Sequence, residues 1–168
     1  MVYFISGHRD ITKEEFEKYY VPKIDTTLEN DNNATFVVGD YYGVDIMAQD
    51  YLVNKGVQDN VTVYHMFESP RNHNTMIKSL KGGFKNDEER DSAMTNVSDF
   101  DIAFVRNGKW KNSGTAINIR RRISFKSKKL LYVCGMKQLY GFSSVGRVMV
   151  SKTKGRRFES FNPRKSNF

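Results

Sequence analysis

Four apolar residues run directly into a polar loop in the opening segment Val2-Tyr3-Phe4-Ile5-Ser6-Gly7-His8-Arg9. A short apolar run of this kind predicts a buried strand, and the glycine-containing loop lies where that strand ends. Thr12 and Glu15 then follow with the spacing of a capping box, which predicts the start of a helix. The chain therefore begins with a strand, a loop and a helix.

The same order of elements recurs along the chain. We predict strands at residues 2–5, 34–38, 61–66, 101–105 and 130–134, and helices that begin near residues 12, 44, 87 and 114. A short helix at residues 23–28 would follow Pro22. This alternation predicts an α/β fold, Rossmann-like and doubly wound, with a mainly parallel five-stranded sheet flanked by helices.

The 168 residues are enough for a single domain. We assign residues 1–135 to the Rossmann-like domain and residues 136–168 to a basic C-terminal extension, with one added strand at 146–150 and a partly disordered tail. Within the domain, the polar residues 68–85 predict a long loop for which a lid is one interpretation.

Charge is distributed unevenly along the chain. Residues 1–105 contain 10 Lys and Arg against 18 Asp and Glu, whereas residues 106–168 contain 17 against one. The basic block could bind nucleic acid or another polyanion, dock against an acidic surface of the same or a neighbouring chain, or be a solvated surface. A homo-oligomer is therefore one alternative that the sequence leaves open.

Several classes of protein are not expected. No apolar run reaches the length that crosses a bilayer and no signal peptide is evident, which predicts a soluble cytoplasmic protein without a membrane partner. Cys134 lies in an apolar run, where an inert buried thiol is the expected state. His8, His65 and His73 lack the spacing of metal ligands, so we expect no metal and no cofactor. Abundant Lys, Asn, Tyr, Phe and Ile are typical of an AT-rich bacterial or phage genome.

Three loops that follow predicted strands, or open the next helix, contain glycine. Glycine lets a ligand approach the backbone, and a helix start offers unpaired N–H groups and the positive end of the helix dipole, a combination that holds phosphate. None of the loops is a complete nucleotide-binding fingerprint, so each is also explained as an ordinary turn. The candidate ligand-binding residues in these loops are Ser6, Gly7, His8, Arg9, Gly39, Asp40, Gly43, Asp45, Ser113, Gly114 and Thr115.

The loops resemble those of the SLOG superfamily, which includes the Lonely Guy enzymes, and in particular its YspA-like branch. Residues 6–10 resemble the family's Gly-Ser-Arg loop, and residues 38–45 resemble its Gly-rich loop ending in Gly-x-Asp. Residues 89–115 resemble a series of short motifs that ends in Gly-Thr. The resemblance implies a nucleotide or nucleotide-derived ligand, with phosphate near residues 6–9 and 114–115 and with Arg90 in the same pocket.

More distant branches of that superfamily, the phosphoribohydrolases and the nucleoside 2-deoxyribosyltransferases, cleave or exchange N-glycosidic bonds. Such chemistry needs a carboxylate beside the anomeric carbon. This chain has Phe104, Ile117 and Asn118 where those enzymes carry glutamate, so the resemblance does not decide whether it is an enzyme. The catalytic residues are unknown, and the candidates are Asp45, Glu89 and Asp91.

Three functions follow as hypotheses: binding or sensing of a nucleotide-derived small molecule, N-glycosidic hydrolysis or transfer on nucleotides, and nucleic-acid binding by the basic last third. The third hypothesis depends on clustered cations with phenylalanines among them, which could contact phosphates and stack on bases. Its candidate residues are Arg120, Arg121, Arg122, Lys128, Lys129, Lys154, Arg156 and Arg157.

Overall fold

A computed structural model of the protein describes residues 1–106, 113–124 and 132–134. The strands are β1 (Val2–Ser6), β2 (Thr35–Val38), β3 (Val61–Met66), β4 (Ser79–Phe84), β5 (Phe100–Phe104) and β6 (Tyr132–Cys134). The helices are α1 (Lys13–Tyr19), α2 (Val21–Asn30), α3 (Val44–Asn54), α4 (Asp87–Val97) and α5 (Gly114–Ser124), with a short 3-10 turn at Gln58–Asn60.

All the strands are parallel, in the order β4-β3-β2-β1-β5-β6. The predicted α/β fold, Rossmann-like and with a parallel sheet flanked by helices, is confirmed, and each of the five predicted strands is present. The basic extension at residues 136–168, the strand expected at 146–150 and the boundary after residue 135 lie outside the described residues.

Strand β4 is an addition to the predicted sheet, since it occupies part of the segment that was expected to be one long loop. It pairs with β3 at the edge of the sheet, and its residues are mostly exposed. An exposed edge strand tolerates lysine and glycine, so its sequence lacks the apolar alternation that identifies a half-buried strand. The rest of the segment is anchored, because Ile77 is buried and the backbone N–H of Asn74 donates to Gln49 at 2.8 Å.

The two faces of the sheet carry different helices. Tyr3 and Ile5 of β1 point into a large apolar core with residues of α1, α2 and α3, whereas Phe4 points to the opposite face and packs near Met94 of α4. Helix α5 packs beside α4 and against β5. This alternation along β1 follows from the two-residue period of a strand and shows that both faces of the sheet are covered.

The first helix begins where the capping box predicts, whereas α2 is longer than the predicted 23–28 helix and includes Pro22. The N–H of Glu15 donates to Thr12 Oγ1 at 3.2 Å, and the N–H of Thr12 donates to a Glu15 carboxylate oxygen at 3.1 Å, so the capping box is formed. Pro22 lies in the first turn of α2, where its missing N–H costs no helical hydrogen bond. Every helix of the described residues is too short or too polar to cross a membrane.

The direction of the chain reverses between β1 and β5. From β1 the chain moves outward through β2 and β3 to β4, and it then returns to the other side of β1 to form β5. The hydroxyl of Tyr20 joins these two strand ends: it donates to the Ser6 carbonyl at 2.9 Å and accepts from the Phe104 N–H at 3.1 Å. Loops that leave a sheet at such a reversal separate and open a crevice.

We expect Tyr20→Phe to lower the free energy of unfolding by about 2–4 kcal/mol, because it leaves a buried carbonyl and a buried N–H without their partner. Urea denaturation measures this loss. The matched control is Tyr19→Phe, since the hydroxyl of the neighbouring Tyr19 makes no hydrogen bond to another described residue. An equal and small effect of both substitutions would show that the bridge between the strand ends contributes nothing.

Candidate ligand-binding cleft

A cleft of about 520 Å³ lies at the carboxyl ends of β1 and β5, where the chain direction reverses. The loop after β1, the loop after β2 and the first turns of α3, α4 and α5 form its walls, and Phe4 and Met94 add apolar surface. Its volume is within the range that holds a small organic ligand.

The cleft brings together most of the predicted site residues, from segments more than a hundred residues apart. Those that line it are Ser6, Gly7, His8, Arg9, Asp45, Arg90, Asp91, Ser113, Gly114 and Thr115. Four predicted residues do not line it, namely Gly39, Asp40, Gly43 and Glu89.

Two of the predicted glycines are required by packing. A Cβ on Gly7 would collide with the Tyr20 hydroxyl and the Val44 side chain. Gly43 has a φ of 77°, and a Cβ there would lie 2.5 Å from the carbonyl oxygens of both His8 and Arg9. These glycines let the start of α3 and the loop after β2 approach the loop after β1, and this close approach shapes the cleft.

Two polar side chains at the end of β1 have no partner among the described residues. The Ser6 hydroxyl is buried, lines the cleft and makes no hydrogen bond. The Arg9 guanidinium is exposed, also lines the cleft and has no ion pair within the described part of the chain. A buried hydroxyl without a partner costs free energy, which a hydrogen bond from a ligand would recover.

The start of α5 faces the same cleft. The Ser113 hydroxyl accepts from the Ala116 N–H at 3.2 Å, as a helix-capping side chain does, and Ser113, Gly114 and Thr115 line the cleft wall. A Cβ on Gly114 would meet no atom of the described residues within 4 Å, so among them the space beside this residue is open. The positive end of the α5 dipole therefore points toward a volume that can hold an anion.

Asp40, one of the predicted ligand-binding residues, does not line the cleft. Its carboxylate is fully buried and accepts from Arg71 at 2.7 and 3.1 Å, from the Arg71 N–H at 2.9 Å and from Arg90 at 2.6 Å. Burial alone would raise the pKa of Asp40, but the hydrogen bonds and charge of Arg71, with the charge of Arg90, bring that pKa below its ordinary value. Asp40 thus fastens the segment between β3 and β4 to the loop after β2.

Asp45 differs from Asp40 both in its position at the cleft and in the direction of its pKa shift. It is almost wholly buried yet lines the cleft, and one carboxylate oxygen accepts from the Tyr41 N–H at 3.1 Å. Burial raises the pKa of Asp45 to about 7, although the charge of Arg90 opposes the change. A carboxyl with such a pKa exchanges its proton near neutral pH and can serve as an acid or a base.

Arg90 stands in the cleft wall, as the resemblance implies, but carboxylates neutralise it. Its guanidinium contacts Asp40 at 2.6 Å, Asp87 at 3.0 Å and Asp91 at 2.9 Å. The other oxygen of Asp91 accepts from the Asn118 amide at 2.8 Å, which links α4 to α5. Arg90 therefore offers little net charge to a ligand.

Glu89 lies away from the cleft, so its proposed catalytic role has no structural support. Its side chain is exposed and accepts from the Lys85 N–H at 2.9 Å, while its own N–H donates to Asn86 at 2.9 Å. Both hydrogen bonds belong to the start of α4. Glu89 acts there as a helix-capping residue.

Arg106 connects the loop after β5 to the loop after β1. Its guanidinium donates to Glu15 at 2.5 and 2.9 Å and pairs with Asp10 at 2.8 Å. The hydrogen bond and charge of Arg106 lower the pKa of Glu15 to about 2. The Arg106 N–H donates to His8 Nε2 at 3.1 Å, which adds a second link between the two loops.

Sequence reasoning missed several residues that line the cleft: Asp10, Tyr41, Tyr42, Asp87, Arg106 and Asn118. Arg106 directly follows β5, so the rule that selected the other loops would have found it. The tyrosines lie inside a loop that was selected for its glycines. Asp87 and Asn118 carry no local signal, because helices α4 and α5 bring them in from the opposite face of the sheet.

The basic residues of α5 do not form one cationic surface. Arg122 is buried and donates to Asp101 at 2.5 and 2.8 Å, which removes it from the predicted nucleic-acid-binding set. Arg121 is largely covered and donates to Asn118 at 2.6 Å, whereas Arg120 is exposed. The other candidates, Lys128, Lys129, Lys154, Arg156 and Arg157, lie outside the described residues, so their role stays a prediction.

Comparisons with known proteins add no family assignment. A scan of protein-family models, a search of curated proteins and a search of solved structures each gave no match to this chain.

Among residues 1–106, 113–124 and 132–134, no group of three or more His, Cys, Asp or Glu side chains is arranged to hold a metal ion.

We expect Asp45→Asn to stabilise the protein more at pH 8 than at pH 5. The folded pKa of about 7 lies above the ordinary 3.8, so the wild type loses stability as the pH rises through this window. Each unit of difference between the folded and the ordinary pKa is worth about 1.4 kcal/mol. The free energy of unfolding can therefore rise by at most about 4 kcal/mol in Asp45→Asn. Urea denaturation at the two pH values measures it.

The matched control is Asp59→Asn, which removes an exposed carboxylate outside the cleft and should not change the pH dependence. If the stability difference between Asp45→Asn and the wild type is the same at pH 5 and pH 8, Asp45 does not titrate in this window.

Proposed function

We propose that the protein binds or senses a nucleotide-derived small molecule, whose phosphate lies between the loop after β1 and the start of α5. The observation that carries this proposal is the buried Ser6 hydroxyl, which has no partner among the described residues and lines the same cleft as Arg9 and the start of α5. These groups favour an anion for three separate reasons: a hydrogen bond, a charge and a dipole.

The position of the cleft supports the same proposal. Open parallel sheets bind ligands beyond the carboxyl ends of their strands at the point where strand order reverses. The cleft occupies that point here, between the ends of β1 and β5. The resemblance to the SLOG superfamily, which rests on the same loops, favours a nucleotide-derived ligand among the possible anions.

A thermal-shift screen with nucleoside mono- and diphosphates, ADP-ribose and NAD tests this function. A ligand at about 100 times its dissociation constant adds about 2.7 kcal/mol of stability, which raises the melting temperature by about 5–10 °C in a chain of this size. Arg9→Met should lower that shift, because it removes the unpaired cation of the cleft. Arg120→Met, an exposed arginine outside the cleft, should leave it unchanged. A screen in which none of these compounds raises the melting temperature refutes the proposal.

A second candidate function, cleavage of an N-glycosidic bond, is favoured by Asp45 alone. A carboxyl with a pKa of about 7 that lines the cleft could give its proton to the departing base as the N-glycosidic bond breaks. The resulting Asp45 carboxylate would then accept a proton from the water that adds to the anomeric carbon. Phe104, which stands where related enzymes carry glutamate, stacks on Tyr19 at 3.9 Å and belongs to the core. Asp45, with Asp91 nearby in the cleft wall, therefore has to supply the chemistry.

This second function predicts that the protein releases free base from nucleotides and that Asp45→Asn abolishes the release. Chromatography of the reaction products at pH 6 and pH 8 measures it, and the rate should fall as Asp45 loses its proton. Glu89→Gln, which changes a carboxylate outside the cleft, should keep the full rate. Base release that persists in Asp45→Asn would exclude this assignment.

A further inference from the structure

An aromatic wall stands beside the proposed phosphate site. Tyr42 lines the cleft and remains 63% exposed, which is unusual for so large a side chain. It directly precedes Gly43, whose backbone abuts the carbonyls of His8 and Arg9. The Tyr42 ring is therefore attached immediately next to the loop that presents Ser6 and Arg9.

The neighbouring Tyr41 is held in place by three contacts. Its N–H donates to Asp45 at 3.1 Å, and the Arg71 guanidinium lies over its ring at 4.6 Å. The rings of Tyr41 and Tyr42 meet edge to face, with their centres 5.6 Å apart. Arg71 is itself fixed by the buried Asp40, so Tyr42 has a rigid support although it faces the open cleft.

The lining of the cleft combines charged and apolar groups. Arg9, which has no ion pair among the described residues, and the start of α5 favour an anion, whereas Phe4, Met94 and Tyr42 supply apolar surface. The cations Arg90 and Arg106 are satisfied by carboxylates of the chain. A ligand that matches both kinds of lining carries an anionic group and a flat apolar group.

We propose that Tyr42 is a stacking platform for the aromatic base of the ligand. This inference rests on the proposed function and narrows it: the ligand is a nucleoside phosphate recognised through its base, and a sugar phosphate without a base is a poor substitute. Stacking of a base on an aromatic side chain tolerates different bases, because every base has a π-face. Tyr42 thus selects for the presence of a base, and any preference among bases comes from other residues.

Isothermal titration calorimetry with two kinds of probe tests the role of Tyr42. AMP, GMP, CMP, UMP and ADP-ribose carry a base, whereas ribose 5-phosphate has the sugar and phosphate alone. The wild type should bind its best nucleotide at least about tenfold more tightly than ribose 5-phosphate, and Tyr42→Ala should remove this advantage. Tyr42→Phe should keep it, because the ring is preserved. Met76→Ala, which truncates a 57% exposed side chain outside the cleft, is the matched control.

The outcomes separate this inference from the function on which it rests. If the wild type binds the nucleotides and ribose 5-phosphate equally well, the base is not recognised and the role of Tyr42 is wrong, while anion binding stands. Unchanged nucleotide affinity in Tyr42→Ala likewise overturns the stacking role. If the wild type binds none of the six compounds, this inference falls, and the proposed function falls with it when the nucleoside diphosphates and NAD of the thermal-shift screen also fail to bind.

Discussion

The hydroxyl of Tyr20 bonds to two backbone groups that the sheet itself cannot pair. Strands β1 and β5 run side by side up to the pair Ser6 and Ala103, and beyond it their chains leave toward opposite sides of the sheet. Tyr20 satisfies the Ser6 carbonyl and the Phe104 N–H at this point, and its ring stacks on Phe16 of α1 at 5.3 Å. The side chain of Tyr20, which lies between α1 and α2, thereby joins the ends of β1 and β5 at the cleft, and Gly7 is small enough to let it pass.

The charge that the cleft offers to a ligand depends on which of its ionisable residues lack an internal ion pair. Carboxylates form ion pairs with Arg71, Arg90 and Arg106, and these pairs join loops and helices to one another. Arg9 has no such partner among the described residues, and Asp45 has been taken from water without a direct ion pair. The ion pairs therefore form a rigid frame, and Arg9 and Asp45 are two charged residues of the cleft that take no part in it.

Much of the fold was predictable because its signals are local. The strands alternate with helices, the capping box at Thr12 lies within four residues, and α4 begins at Asp87 as expected. Strand β4 was not predicted, because the sequence of an exposed edge strand lacks the alternation of apolar and polar residues. For the domain as a whole, short-range patterns were enough to give the order of the elements.

The site was harder to predict, because distant partners decide what a side chain does. Asp40 and Asp45 look alike in the sequence, yet Arg71, 31 residues from Asp40, turns the first into a structural anchor. Arg122 is one of three consecutive arginines. It alone faces the sheet, and its place three residues after the buried Ile119 was a signal for this.

The glycines of the cleft would carry different information in a lineage of related sequences. Substitution of Gly7 or Gly43 forces overlap with neighbouring atoms, so purifying selection would preserve both in any descendant that still folds. No described residue would contact a Cβ on Gly114, so the packing of the described residues does not require glycine there. Under the proposed function, substitution at Gly114 alone would accompany loss of anion binding, whereas constancy at the other two positions would say nothing about binding.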